Sequence, residues 1–152
     1  MKTKLVVTFF VSFFSLSVFS QKLGKEMALY AEKKDNNYYL VRMVKDQPVP
    51  KVYIYSAGVT KPYKSYTDIK DLLIDFPGLM QSNNSTKEEL VSVLNKDGHF
   101  YEVTSQRKDP KNFEKVTVTL YEVDRGQRRI VEEYNSVYEL ATSPYKQAVF
   151  ID

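Results

Sequence analysis

The chain has 152 residues, a formal charge of +3, one histidine and no cysteine. Disulfide stapling and thiolate metal sites are thereby excluded. With 22 Lys and Arg against 19 Asp and Glu, and no basic cluster in the body of the chain, a nucleic-acid binder is disfavoured as well.

The first element is a leader. Lys2 and Lys4 precede an uncharged apolar run from Leu5 to Phe19, and Val18 and Ser20 are small enough for the positions before a cleavage site. The run is shorter than the roughly 20 apolar residues of a spanning helix and carries four hydroxyl residues. The reading is a signal peptide over 1–20, removed to leave one small domain over 21–152. No cysteine follows the leader, so lipid attachment there is excluded, and no stable membrane insertion is expected. Without Lys2 and Lys4 the remaining chain has 20 basic and 19 acidic side chains. It keeps all 12 tyrosines but loses five of its nine phenylalanines. A cysteine-free exported domain points to a bacterial periplasm or the extracellular space.

Two strands, 27–34 and 37–45, flank a turn at Asp35-Asn36-Asn37, whose residues tolerate positive φ. Gln47 to Pro50 should break the ladder, because proline cannot donate to it. Lys51 to Ser56 alternates as a third strand, with Val52 and Ile54 on one face and Tyr53 and Tyr55 on the other. Residues 57–65 read as a loop. A helix then begins near Ser65 or Thr67, with Ile69, Leu72, Leu73 and Phe76 as its buried stripe, and Pro77-Gly78 stops it. The polar stretch 81–85 reads as a loop. Thr86 and Glu89 resemble a capping box for a second helix carrying Leu90, Val93 and Leu94 and ending at Asn95 to Gly98.

Strands follow at 99–105 and 115–123, with a hairpin loop at 124–127 and a return strand at 128–134. Residues 128–141 also fit a helical stripe through Ile130, Tyr134, Val137, Tyr138 and Ala141. Ser143-Pro144 breaks the segment, and Tyr145 to Ile151 suits a final edge strand. No internal repeat stands out: the hairpins at 35–37 and 124–127 differ in length and context. The expected class is α+β, an antiparallel sheet built from hairpins with two short helices packed on one face.

Catalytic and cofactor patterns are weak. Asn95-Lys96-Asp97-Gly98 offers two oxygen ligands and then fails as a calcium loop. The five glycines form no phosphate cradle, so no cofactor is implied. A hydrolase would have to use His99, with Asp97 or Glu102 beside it, and no Gly-x-Ser-x-Gly elbow accompanies it. Glu88-Glu89 and Glu132-Glu133 are adjacent pairs whose members do not share a face.

The remaining signal is aromatic. Tyr53, Tyr55, Tyr63 and Tyr66 lie close together among Lys51, Lys61 and Lys64, with Tyr38 and Tyr39 expected on the neighbouring strand. Tyrosine combines apolar area with a hydroxyl and is enriched at binding surfaces, though sheets favour it in any case. The leading functional reading is a non-enzymatic binding module using these tyrosines against another protein or an envelope or extracellular polymer. The alternatives are a small enzyme inhibitor or immunity-type protein, and then a hydrolase centred on His99.

Overall fold

The structure is a computed structural model and describes residues 26–44, 47–56, 59–80 and 86–151. The leader and the 81–85 loop lie outside the described residues. Four antiparallel strands come first: β1 (Glu26–Lys34), β2 (Asn37–Val44), β3 (Gln47–Ser56) and β4 (Val59–Ser65). Helix α1 (Ile69–Asp75) and a 3₁₀ turn (Pro77–Met80) follow. The pattern then recurs, with β5 (Glu89–Lys96), β6 (His99–Asp109), β7 (Asn112–Asp124), β8 (Gln127–Tyr134), helix α2 (Val137–Ala141) and a 3₁₀ turn (Lys146–Ala148). A short β9 (Phe150–Ile151) returns to pair with β1. Two antiparallel sheets result, ordered β4-β3-β2-β1-β9 and β5-β6-β7-β8.

The two halves share their local devices as well as their order. Both begin with a two-residue hairpin whose residues have positive φ, Asp35-Asn36 in the first and Asp97-Gly98 in the second. Such a turn matches the twist of the flanking strands and selects Asn, Asp and Gly. A bulge sits six residues before each turn, at Leu29 and at Val91. These counterparts are all 62 positions apart. Beyond β2 and β6 the spacing becomes 68. Bulges then fall at Tyr63 and Val131, and buried tyrosines at Tyr66 and Tyr134. The side chains of Asp68 and Ser136 cap the two helices, and Leu72 and Leu140 are their innermost residues. The register moves from 62 to 68 because the β6–β7 hairpin is longer than the β2–β3 hairpin. The repeat missed in the sequence is thus present in the fold, hidden by that change of spacing and by few shared identities.

Strand alternation sends each sheet's side chains to two different layers. Leu29, Val41 and Val52 of the first sheet pack under α1 with Tyr66, Leu72 and Phe76. Val103, Val118 and Leu120 of the second pack under α2 with Tyr134, Leu140 and Phe150. The opposite faces meet through Ala28, Ala31, Tyr38, Leu40, Tyr55 and Val93, with Leu90 and Phe100 beside them. Ala28 and Leu90 are counterparts, as are Ala31 and Val93, and Tyr38 and Phe100. The Tyr38 and Phe100 rings touch each other, with centroids 4.8 Å apart. Like residues meeting like residues is the arrangement of a two-fold contact, here within one chain.

Several expectations change. The molecule is mainly antiparallel β with two short helices, and each sheet carries its own helix on its outer side, so the helices do not share one face. The expected helix over 86–98 is strand β5: Ser92, Val93 and Leu94 are all buried, because this strand packs on both faces. The Leu90-Val93-Leu94 spacing mimicked a helix because the bulge at Val91 shifts the strand alternation. Residues 59–65 are an edge strand, where Pro62 is tolerated. Strand β3 continues through Pro48 and Pro50. The ambiguous 128–141 segment divides into β8 and α2, and only Phe150 and Ile151 of the expected last strand form one.

One core residue is anomalous. Arg42 on β2 is fully buried; Nη2 donates to the Gln147 carbonyl (3.3 Å), while Nε and Nη1 have no partner among the described residues. A buried guanidinium so sparsely bonded loses more hydration than it regains. Arg42→Met should therefore raise stability by about 1–3 kcal/mol in urea denaturation. A loss would mean that the other N–H groups meet acceptors in the folded protein.

Candidate functional site

The four tyrosines singled out in the sequence do not form one surface. Tyr55 is 4% exposed and belongs to the layer between the sheets. Tyr53, on the same face of β3, is half-buried, and its hydroxyl donates to both Glu26 oxygens (2.8 and 3.0 Å). Lys51 Nζ lies 3.6 Å from the same carboxylate. Burial, and then that carboxylate, push the Tyr53 hydroxyl up to about 12. Tyr66 is 2% exposed under α1, donating to Asp75 at 2.6 Å. Tyr63 alone is well exposed, at 51%, and meets Tyr39 edge-on at 5.4 Å. Tyr63 and Tyr66 therefore belong to the helix side of the sheet, and Tyr53 and Tyr55 to the opposite side.

The Tyr53–Glu26 pair has a counterpart. Tyr121 Oη donates to Glu88 at 2.8 Å, and Tyr121 and Glu88 occupy the equivalent positions of the second half. Arg128 Nη1 reaches Glu88 at 2.9 Å and Glu102 at 3.8 Å, with the guanidinium 4.2 Å from the Tyr121 ring centre. Glu102 also accepts a short hydrogen bond from Tyr38 Oη. A chain of polar contacts thus runs Tyr38–Glu102–Arg128–Glu88–Tyr121 and links β2 of one sheet to β6 and β8 of the other.

Above this chain lies a cleft of about 290 Å³ between the two sheets. Tyr38, Tyr55 and Phe100 supply its aromatic wall, and Lys33, Glu102 and Arg128 its charges. Lys33 Nζ stands 5.3 Å from the Tyr38 ring centre. Each sheet contributes to the lining, so the cleft exists only where the halves meet. Sequence reasoning found Tyr55 and placed Tyr38 beside it. It missed Lys33, which pairs with Tyr38 in the first hairpin, and Phe100, Glu102 and Arg128, which the second half brings in. A wider, more polar trough of about 780 Å³ opens on the second sheet nearby, among Glu88, Arg107, Thr119, Tyr121 and Glu133.

No protein-family model matches this chain, and no curated protein or solved structure is significantly similar to it. Nor do three His, Asp or Glu side chains converge as metal ligands would, among the described residues. His99 opens β6 directly after its turn and is mostly exposed, with Nδ1 2.5 Å from Glu122. Arg129 holds the same carboxylate at 2.6 Å and, as the largest influence, keeps it below its ordinary range. His99 thus belongs to a surface charge cluster rather than to the cleft. Among the described residues no helix is long and apolar enough to cross a membrane.

Proposed function

We propose that the protein is an exported, non-enzymatic binding module that receives a ring-bearing, anionic ligand group in the cleft between its two halves. The observation that carries this reading is the convergence of three aromatic rings and two cations, drawn from both sheets, on one concavity. Small-ligand sites combine apolar walls with a few charged groups that fix orientation, and about 290 Å³ suits one ring-sized group. Arg128 is held by Glu88 and Glu102, and Glu102 also by Tyr38, so the Lys33 ammonium beside the Tyr38 ring is the cation that would meet an anionic group. Export is supported by the leader: a short basic start, an apolar run and small residues before Gln21.

The test is an NMR titration with ring-bearing acids, both aryl carboxylates and uronic-acid oligomers. Binding should shift the Tyr38 and Tyr55 ring signals. Lys33→Ala and Phe100→Ala should each weaken it at least about tenfold while the circular dichroism spectrum stays unchanged. Binding that survives both substitutions would remove the cleft assignment. A pull-down that recovers one tight protein partner, insensitive to both variants, would favour the enzyme-inhibitor alternative. Mass spectrometry of the exported protein should find Gln21 at its N-terminus, and an intact Met1 would overturn export.

A further inference from the structure

The two outer edge strands, β4 and β8, are counterparts, yet they present opposite chemistries. β4 carries Lys61, Pro62 and Lys64 and no acid. A proline at an edge removes a donor, and charge of one sign repels a second copy, so β4 is guarded against pairing. At the positions of Lys61, Pro62, Lys64 and Ser65, β8 has Arg129, Ile130, Glu132 and Glu133. Its residues from Gln127 to Glu133 are exposed, including Ile130 at 55% and Val131 at 37%. No proline interrupts it.

The sequence Arg128-Arg129-Ile130-Val131-Glu132-Glu133 is a charge palindrome. Run antiparallel to a copy of itself about the Ile130–Val131 midpoint, it sets Arg128 opposite Glu133, Arg129 opposite Glu132, and Ile130 opposite Val131. In a regular strand this would fail, because Arg129 and Glu132, three residues apart, would point to opposite faces. The bulge corrects it. Arg129 pairs with Glu122 and Glu132 with Leu120, two residues on one face of β7; Arg128 pairs with Val123 and Glu133 with Thr119, two residues on the other. Val131 is the extra residue that restores the match.

We propose that β8 is the seam of a symmetrical homodimer, in which the two four-stranded sheets of separate copies join edge to edge. Opposite charges would face one another directly across the seam, twice on each sheet face. Arg129 and Arg128 already contact Glu122 and Glu88 within the chain, and a guanidinium has five donors with which to serve a second acid. A seam of one strand is small, so association should be weak, on the order of micromolar and favoured by low salt.

Sedimentation velocity on the purified protein at about 100 μM tests this, with circular dichroism as the fold control. The wild type should sediment as a dimer. Arg129→Glu alone and Glu132→Arg alone should each be monomeric while folded, since each sets like charges face to face. Mixing the two single variants should restore a dimer, and so should the double variant carrying both changes. A monomeric wild type would overturn the proposal, as would failure of both the mixture and the double variant to recover the dimer.

Discussion

Leu72→Ala and Leu140→Ala should each destabilise the protein by about 2–5 kcal/mol in urea denaturation. Both side chains are essentially inaccessible, one at the centre of α1 over the first sheet and the other at the same place on α2 over the second. Removing three carbons there leaves a cavity that close-packed neighbours cannot fill. The sharper expectation concerns cooperativity. Because Ala28, Ala31, Leu40, Tyr55 and Val93 form a shared layer, either substitution should shift a single transition of the whole molecule. Two separate transitions, one moved and one unmoved, would mean that the halves fold independently.

Above pH 10 the protein should lose stability steeply and unfold. The hydroxyls of Tyr30, Tyr38, Tyr53 and Tyr66 are all raised above the ordinary phenol value, first by burial and then by a carboxylate that accepts their hydrogen bond. Tyr101, Tyr121 and Tyr134 move in the same direction. The sign follows from proton counting. The folded state holds these protons more tightly than the unfolded state, so the stabilisation is complete below the unfolded value near 10. It falls as pH rises from there towards the folded values, about 12 for Tyr53. Each such tyrosine subtracts about 1.4 kcal/mol per pH unit across that window. Absorbance at 295 nm should therefore show a first group of tyrosines ionising normally, then a steep step coinciding with loss of the circular dichroism signal. Smooth, independent titration of all 12 tyrosines in a folded protein would contradict the hydrogen-bonding pattern.

The pieces legible in the sequence were those governed by neighbouring residues. The Asp35-Asn36 turn, the α1 stripe of Ile69, Leu72 and Phe76, and the β7–β8 hairpin all follow from local φ preference or simple periodicity. Where a bulge interrupts the alternation, periodicity misleads, and β5 carries a helix-like apolar spacing for that reason. Strand β4 was unreadable because an edge strand exposed along its whole length has no buried face to leave a pattern. The cleft was only half legible. Tyr38 and Tyr55 pair directly across neighbouring strands, within reach of a hairpin argument. Phe100, Glu102 and Arg128 arrive from the other sheet, and only the packing of one half on the other brings them there. The tyrosine cluster at 53–66 was close in sequence but divided in space, because alternation and a helix on one side assign its members to different layers.

The pairing of β9 with β1 has a consequence for the order of folding. Glu26 and Met27 find their second neighbours only in Ile151 and Phe150, and the Ala28 amide donates to the Val149 carbonyl at 2.8 Å. β1 is thus fastened by residues more than a hundred positions later in the chain. The first sheet, with its four strands and helix, is complete only when residues 149–151 have joined it.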